Sequence, residues 1–238
     1  NGTVFRNFLA AFDTTTGNIT SFDPDLNNVV YALTISGSTL YAGGFFTSVN
    51  GGTFRNRVAA FDTSTGTATS FNPNVNDWVV SLLLSGTTLY VGGNFTKVNG
   101  VVTTRNYLAA FDTTTSTVTS FNPNLNEVAR SMSITGSTLY VGGNFTTVNG
   151  GTVRNHLAAF DTSTSTATSF NPNVNGDIYG VNLTGSTLYV GGTFTGVNGS
   201  TTRNFLGAVD SNSGAALSFN PNLNNPVSSI AISGSTLY

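Results

Sequence analysis

The chain has 238 residues, of which 8 are Lys or Arg and 10 are Asp or Glu, so its formal net charge is −2. Charged residues make up 8% of the chain, against about 25% in an ordinary globular protein, and this balance gives no electrostatic reason to expect nucleic acid or an anionic membrane as a partner. The lack of cysteine excludes disulfides, thiolate metal sites and cysteine nucleophiles, and no apolar run is long enough for insertion into a membrane.

The sequence consists of five copies of one unit. Its most regular motif, [ST]-G-[ST]-T-L-Y, ends on a tyrosine that recurs 49, 50, 49 and 49 residues apart, and an Arg-Asn pair keeps the same spacing. The tyrosines are Tyr41, Tyr90, Tyr140, Tyr189 and Tyr238. A period of about 40 to 50 residues is typical of repeats that stack or form rings, because a single unit cannot bury its apolar face alone.

Each unit predicts four strands in chain order, called a to d below. In the first full copy, VVYALTIS and TLYAGGFFT are rich in β-branched and aromatic residues and flank a tight Ser-Gly turn, which predicts the hairpin a–b. The polar loop SVNGGTFRN then leads to strand c, RVAAFD, and strand d, TATSF. No window keeps apolar residues at helical spacing, so the fold class is all-β, with a four-stranded antiparallel sheet in each unit.

Three kinds of position in the repeat predict packing. Strand a carries apolar residues two positions apart on one face, such as Leu33 and Ile35. The glycine pair of strand b would weaken that strand unless another element must come close to it, so it predicts contact with a neighbouring sheet. A phenylalanine at the end of strand d is expected to add bulk between sheets. The glycines are Gly43 and Gly44, Gly92 and Gly93, Gly142 and Gly143, and Gly191 and Gly192; the phenylalanines are Phe22, Phe71, Phe121, Phe170 and Phe219.

Sheets repeated at this period are arranged most economically around a central axis, which predicts a five-bladed β-propeller. No linker interrupts the register, so residues 1–238 are expected to form a single repeat domain. The blades are predicted at approximately 29–73, 78–122, 128–171 and 177–220, with a composite blade of 1–23 plus 226–238. In that blade the N-terminal strands c and d join the C-terminal strands a and b, which closes the ring and removes exposed sheet edges.

The interrupted register at Tyr238 leads to a further expectation. By period, a sixth copy would continue beyond this residue, so the segment is expected to belong to a longer repeat protein. An open run of repeats, in which each end stacks on the next molecule as in a fibre, is the alternative to the closed ring.

The phrase LAAFDTTTGxxTSFNPNxN, followed by SGSTLYVGGNFTxVNG, resembles the delta-60 repeat, a β-propeller domain of unknown function in bacterial and archaeal exported proteins. The similarity recurs in every unit. It implies a propeller that often forms part of a larger cell-surface or secreted protein, and therefore an extracellular or cell-surface location. It supplies no catalytic motif that could be transferred to this chain.

An arginine before strand c and an aspartate after it recur in every copy. The structural interpretation is that the arginine bridges loop carbonyls while the aspartate caps the turn from c to d. The alternative is a fivefold functional site. The arginines are Arg6, Arg55, Arg105, Arg154 and Arg203, and the aspartates are Asp13, Asp62, Asp112, Asp161 and Asp210.

The loop from strand d to strand a is where the copies differ most, and it holds the carboxylates that the repeat motif does not use. Variable loops on a rigid frame are the usual place for recognition, and exposed aromatic rings there could bind a sugar or a peptide. Unselected variation on an exposed rim is the alternative. The candidate ligand-binding residues are Tyr31, Asp77, Trp78, Glu127, Arg130, Asp177 and Tyr179.

Metal and cofactor chemistry have little support in the sequence. Asp23 and Asp25 offer hard oxygens of the kind that calcium prefers, but the other copies carry Asn there, so no metal site and no cofactor are predicted. The one histidine, His156, aligns with Phe8, Arg57, Tyr107 and Phe205, which is typical of a packing or surface position.

The sequence therefore predicts an extracellular or cell-surface module with a structural or adhesive role and without catalysis. A lectin-like propeller that binds glycans or peptides through the d-to-a loops is the first alternative, and a subunit of an extracellular fibre or surface layer is the second. An enzyme of the glycosidase class is a further alternative, and it would need two carboxylates about 5 to 9 Å apart in a pocket. The expected partners are other protein domains or surface glycans, with self-association a further option.

Overall fold

The computed structural model describes residues 4–238, and every regular element in that range is a β-strand. The predicted composite blade starts at residues 1–3, which lie outside the described residues. The chain forms two compact units: one contains Asn1–Arg105 and Ala110–Ser120, and the other contains Asn106–Ala109 and Phe121–Tyr238. No helix among residues 4–238 has the length and apolarity needed to span a bilayer.

The four full repeats contain five strands each, and a fifth copy of the a–b hairpin follows them. The first repeat has β1 (Val30–Ser36), β2 (Thr39–Gly44), β3 (Ser48–Val49), β4 (Thr53–Phe54) and β5 (Val58–Asp62). The second has β6 (Val79–Ser85), β7 (Thr88–Gly93), β8 (Lys97–Val98), β9 (Thr103–Thr104) and β10 (Leu108–Asp112). The third has β11 (Ala129–Thr135), β12 (Thr138–Gly143), β13 (Thr147–Val148), β14 (Thr152–Val153) and β15 (Leu157–Asp161). The fourth has β16 (Ile178–Thr184), β17 (Thr187–Gly192), β18 (Gly196–Val197), β19 (Thr201–Thr202) and β20 (Leu206–Asp210). The last hairpin is β21 (Ile232–Ser233) and β22 (Thr236–Leu237).

Each full repeat builds one three-stranded antiparallel sheet from its strands a, b and c. The strand orders are β1-β2-β5, β6-β7-β10, β11-β12-β15 and β16-β17-β20. The all-β class and the repeated antiparallel sheets that the sequence predicted are confirmed. The prediction of four-stranded sheets is wrong, because segment d joins strand c through a single isolated bridge in each copy, as between Phe61 and Ala68.

Competition for main-chain groups explains why segment d does not become a fourth strand. Beside the bridge, Asp62 N donates to Thr67 O at 2.9 Å and Thr69 N donates to Ala60 O at 2.8 Å. The next ladder bonds would use Thr69 O and the N–H two residues later. Instead, Thr69 O accepts from Arg55 Nη2 at 2.6 Å, and Phe71 N donates to Thr69 Oγ1 at 3.2 Å. The arginine thus takes the carbonyl that a longer strand would need.

The polar loop between strands b and c contains a short hairpin that the sequence did not predict. In the first repeat, Ser48 pairs with Phe54 and Val49 pairs with Thr53. The turn between them needs three consecutive residues with positive φ, which Asn50 (46°) and the two following glycines (72° and 135°) supply. The polar composition of this segment had indicated a loop, whereas the Asn-Gly turn folds the segment back on itself as a hairpin.

The first glycine of each described pair makes the predicted contact with the next repeat. A Cβ built on Gly43 would lie 2.6 Å from Val79 Cγ1, and one on Gly142 would lie 2.3 Å from Ile178 Cγ2. The second glycine faces its own repeat instead: a Cβ on Gly143 would lie 2.1 Å from Val128 O, where strand a bulges. The interpretation as a contact between sheets is confirmed for the first glycine and wrong for the second.

Four of the five phenylalanines of segment d are buried and Phe219 is half-buried. Two of the buried rings pack in the core of the following repeat. Phe22 packs with Phe46 and Phe61 of the first full repeat. Phe170 packs with Val190 and Phe194 of the fourth. This confirms the expected bulk between sheets for these two residues, and it means that a repeat completes its apolar core with a ring from the copy before it.

The apolar face of strand a is covered to different extents. Met132 is 9% exposed and Val181 is 6% exposed, whereas Leu33 and Ile35 of the first full repeat are 49% and 60% exposed. Val181 is one of the residues that a Cβ on Gly142 would touch, at 3.0 Å. Strand b of the preceding repeat therefore covers Val181 at this glycine.

Replacing Gly142 with alanine is expected to lower the free energy of unfolding by about 1–3 kcal/mol, because the new methyl group would overlap the Ile178 side chain. Urea unfolding of the wild type and the variant measures the change. Gly207→Ala is the matched control: the nearest atoms to its Cβ would be Arg203 side-chain carbons at 3.3 to 3.4 Å, against 2.3 Å at Gly142, and its counterparts in other copies, such as Ala59, are already alanine. Equal stabilities for the two variants would contradict the prediction.

Candidate functional site

The arginine that precedes strand c links two separate segments of each repeat. Arg55 donates from Nη1 to Phe54 O at 2.9 Å and from Nη2 to Thr69 O at 2.6 Å, and desolvation lowers the pKa of this guanidinium. The same pair of carbonyls, on the preceding residue and on segment d, accepts from the other four: Arg6, Arg105, Arg154 and Arg203. These side chains therefore hold main-chain carbonyls in place.

The aspartate that follows strand c organises the turn into segment d. Asp112 Oδ1 accepts from the amides of Thr114 and Thr115, both at 2.9 Å, and from their hydroxyls at 2.6 and 3.1 Å. The Thr114 hydroxyl and these other donors lower the pKa of Asp112 to about 2. Hydrogen bonds from the same turn positions also lower the pKa of the four equivalent carboxyls: Asp13, Asp62, Asp161 and Asp210.

Asparagine side chains hold the remaining loops, a role that sequence reasoning missed. Asn50 accepts from Ala68 N at 2.7 Å and donates to Gly66 O at 2.9 Å. Asn126 accepts from the amides of Thr146 and Thr147 at 2.9 and 3.0 Å. The available signal was their recurrence in V-N-G and in N-P-N-x-N, which reads D-P-D-L-N in the first copy and keeps its last asparagine.

In the first compact unit, the candidate binding residues include an aromatic pair. The rings of Tyr31 and Trp78 are 6.1 Å apart at an interplanar angle of 68°, and Tyr31 is 51% exposed. Asp77 lies beside them and is fully engaged, since Oδ1 accepts from Trp78 N at 2.7 Å and Oδ2 accepts from Asn94 Nδ2 at 2.9 Å. The structure thus brings these three predicted residues together.

In the second unit, strands β11 and β16 bring two other candidates into contact. The Arg130 guanidinium carbon lies 5.3 Å from the centre of the Tyr179 ring, and Arg130 Nε donates to Asn144 Oδ1. Asp177 Oδ1 lies 3.3 Å from His156 Nδ1. Asn144 and His156 were not among the predicted ligand-binding residues.

Glu127 and the two early aspartates take part in local contacts. Glu127 Oε1 accepts from Val128 N at 3.0 Å, and the Glu127 side chain is otherwise exposed. Asp23 pairs with Arg6 at 3.4 Å, and Asp25 accepts from Asn7 Nδ2 at 2.7 Å. Among residues 4–238, no three His, Cys, Asp or Glu side chains come together in a group that could hold a metal ion.

His156 occupies a backbone position that every copy bends in the same way. Its φ is 62°, and its counterparts, whose side chains differ widely, have φ between 62° and 65°: Phe8, Arg57, Tyr107 and Phe205. The conformation is held by main-chain bonds, since His156 N donates to Phe145 O at 2.8 Å while Gly143 N donates to His156 O at 2.9 Å. The side chain is thereby left free to vary.

A cavity of about 440 Å³ in the second unit lies between the last hairpin and the fourth repeat. Its lining includes Tyr189, Leu206, Phe219, Ile232 and Leu237, and it contains no carboxylate, histidine or basic side chain. None of the predicted binding residues lines it.

These strands and contacts define an all-β repeat protein, and two solved structures have a similar fold. One is the crystal structure of the computationally designed Ika4 protein, which matches with a TM-score of 0.51 and 9% sequence identity over 77% of this chain and 92% of its own. The other is the crystal structure of the computationally designed Ika8 protein, with a TM-score of 0.51 and 8% identity over 88% of this chain and 67% of its own. At such identities the likeness concerns the fold alone.

No family model and no curated protein sequence matches the chain. The resemblance to the delta-60 repeat therefore stays a prediction.

Replacing Thr114 with alanine is expected to raise the pKa of Asp112 from about 2 toward its usual 3.8, because the variant loses the Thr114 hydroxyl donor. The folded-state pKa lies below the unfolded one, so the carboxylate contributes stability that is complete above pH 3.8 and is lost as the pH falls through about 2. The variant should therefore lose less stability on acidification.

An NMR titration of the Asp112 carboxyl carbon measures this pKa, and urea unfolding between about pH 5 and pH 2 measures the stability. Thr113→Ala is the control, because the Thr113 hydroxyl donates to Thr87 O at 3.0 Å and not to the carboxylate. The interpretation fails if Asp112 titrates identically in the two variants.

Proposed function

We propose that the chain is a structural or adhesive module of an extracellular or cell-surface protein and that it catalyses no reaction. The observation that carries this proposal is that the polar side chains that recur in every copy make different contacts from those that vary. The Arg, Asp and Asn residues that recur in each repeat make hydrogen bonds within that repeat. The side chains that differ between copies, such as Trp78 and Arg130, lie just before strand a or at its start, where a rigid frame presents them.

The finer fold that we propose is the five-bladed propeller with the composite blade 1–23 plus 226–238. In its support, Gly43, Gly142 and Gly191 each bring strand b close to the strand a segment of the next repeat in the same way. Segment 9–12 corresponds to strand c, and β22 corresponds to the strand b that would pair with it. Joining them would complete a sheet of the kind that the full repeats form.

A closed ring is expected to give a radius of gyration of about 18 Å, the value for a compact chain of this length. Small-angle X-ray scattering at several protein concentrations measures it, with light scattering to establish the mass of the particle. A clearly larger radius at the monomer mass would contradict ring closure. A mass that grows with concentration would favour the fibre or surface-layer alternative, which the exposed Leu33 and Ile35 support.

The engagement of the spare carboxylates supports the absence of catalysis. A glycosidase needs one carboxyl that donates a proton and a second one across a pocket, about 5 to 9 Å away. Both oxygens of Asp77 accept hydrogen bonds, and Asp177 is paired with His156. The described cavity has no carboxylate in its lining.

A second candidate function is recognition of glycans or peptides by the d-to-a loops, and the Tyr31–Trp78 pair favours it. Two rings at a steep angle with one of them half exposed offer a corner into which the apolar face of a sugar could pack. The expected partners are then surface glycans or other protein domains.

Trp78→Ala is expected to weaken glycan retention about tenfold or more, because a buried aromatic contact of this kind dominates small binding sites. A glycan array is read first for bound protein and then by mass spectrometry for cleaved glycan, and no cleavage is expected. Phe54→Ala is the matched control, since Phe54 is 55% exposed in the β3–β4 hairpin. Cleavage that Glu127→Gln abolishes would overturn the non-catalytic proposal, and equal retention by the two alanine variants would exclude the aromatic pair as the binding site.

A further inference from the structure

Arg130 differs from the other arginines of the described chain in the partners of its terminal nitrogens. In each of the other six, at least one Nη atom donates to a main-chain carbonyl: Arg6, Arg55, Arg57, Arg105, Arg154 and Arg203. Arg130 makes its one described hydrogen bond through Nε, to Asn144 Oδ1. Within residues 4–238, neither of its Nη atoms has a hydrogen-bond or ion-pair partner.

Two contacts nevertheless fix the plane of this guanidinium. The Tyr179 ring lies below it at 5.3 Å from the guanidinium carbon, and the Nε–Asn144 bond fixes rotation about the side-chain axis. Arg130 is half-buried on β11, and Tyr179 is half-buried on the adjacent β16. The free edge of the guanidinium is therefore held in one orientation before any ligand arrives, which reduces the entropy lost on binding.

The equivalent place in the second repeat shows that this arrangement is not a requirement of the fold. The counterpart of Arg130 is Val80, and the counterpart of Asn144 is Asn94, which donates to Asp77. In the third repeat the asparagine oxygen accepts from Arg130 instead. The sheet also forms with valine at this position, so the arginine is not required for its packing.

The acidic side chains nearby do not occupy the arginine. Asp177 is paired with His156 at 3.3 Å, and Glu127 accepts from its neighbouring amide at 3.0 Å. A guanidinium with both Nη atoms free presents two parallel N–H donors, which match the two oxygens of a carboxylate. The Asn144 amide nitrogen is a further donor beside it.

We propose that Arg130, Tyr179 and Asn144 form a binding site for a carboxylate group, carried either by an acidic sugar or by an acidic peptide. The two Nη atoms bind the two carboxylate oxygens, and Asn144 holds the guanidinium edge outward. The Tyr179 ring shields one face of the ion pair from water. This site deepens the second candidate function, on which it rests, by naming the chemistry of the ligand.

The test measures binding of three probes to the folded chain by isothermal titration calorimetry: trigalacturonate, its fully methyl-esterified form, and the peptide acetyl-Gly-Asp-Gly-amide. We expect one of the two free acids to bind and the neutral ester to bind at least about tenfold more weakly, since one lost bidentate ion pair is worth that or more. Which acid binds distinguishes the sugar from the peptide.

Arg130→Gln should weaken binding of the preferred acid about tenfold or more, and Arg130→Lys should restore only a small part, because an ammonium lacks the planar fork. Lys97→Gln is the matched control, since it removes the same charge from the β8–β9 hairpin, where Lys97 Nζ donates to Thr104 Oγ1. Unchanged melting temperatures establish that the variants fold; if Arg130→Gln does not fold, Tyr179→Leu takes its place.

Three results would overturn the proposal: no binding of either acid at millimolar concentration, equal binding of acid and ester, or equal loss in Arg130→Gln and Lys97→Gln. If any of these results is obtained while the wild type still retains neutral glycans that the Trp78→Ala variant loses, the carboxylate site is excluded. Recognition by the loops then stays supported.

Discussion

Each repeat depends on hydrogen bonds to the main-chain groups of its loops, and mostly uncharged side chains make those bonds. Every repeat has several loops whose N–H and C=O groups have no strand partner, and such groups need other hydrogen-bond partners when they are shielded from water. Neutral amide side chains provide them: Asn50 binds segment d, and Asn126 binds the start of the b–c hairpin. Arg55 supplies two further donors, to the carbonyls of Phe54 and Thr69. This explains how a chain with only 8% charged residues forms well-defined loops.

The same hydrogen bonds set the edges of the sheets. Because Arg55 takes the carbonyl of Thr69, segment d leaves strand c after one bridge. Its phenylalanine then lies edge-on to the strand b tyrosine of its own repeat, as Phe170 does with Tyr140 at 5.3 Å between ring centres. Phe170 also packs with Val190 and Phe194 of the next repeat, where the glycine of strand b allows the two sheets to approach. Polar contacts in the loops and apolar contacts between sheets are thus parts of one arrangement.

The sequence was sufficient for the strands and for the contacts that repeat. Alternating apolar residues and tight turns predicted strands a, b and c, and the first glycine of each described pair and the phenylalanine predicted contacts between repeats, whereas the second glycine packs within its own repeat. It was insufficient where side chains compete with the backbone. The single bridge of segment d follows from a bond between Arg55 and a residue 14 positions away, which no local pattern reveals. The stacking of Arg130 on Tyr179 joins two copies across 49 residues. A position that varies between copies does not by itself show which residues are in contact.

The exchange of phenylalanine rings between copies has a consequence for how the molecule unfolds. Since a repeat lacks part of its core until the copy before it is in place, its stability is a property of neighbouring pairs more than of single units, as in linear repeat arrays. Loss of one unit then strips a ring such as Phe22 from the core formed around Phe46 and Phe61. Unfolding should therefore spread from one repeat to the next. The amide hydrogens of adjacent repeats should then exchange with solvent together and not independently.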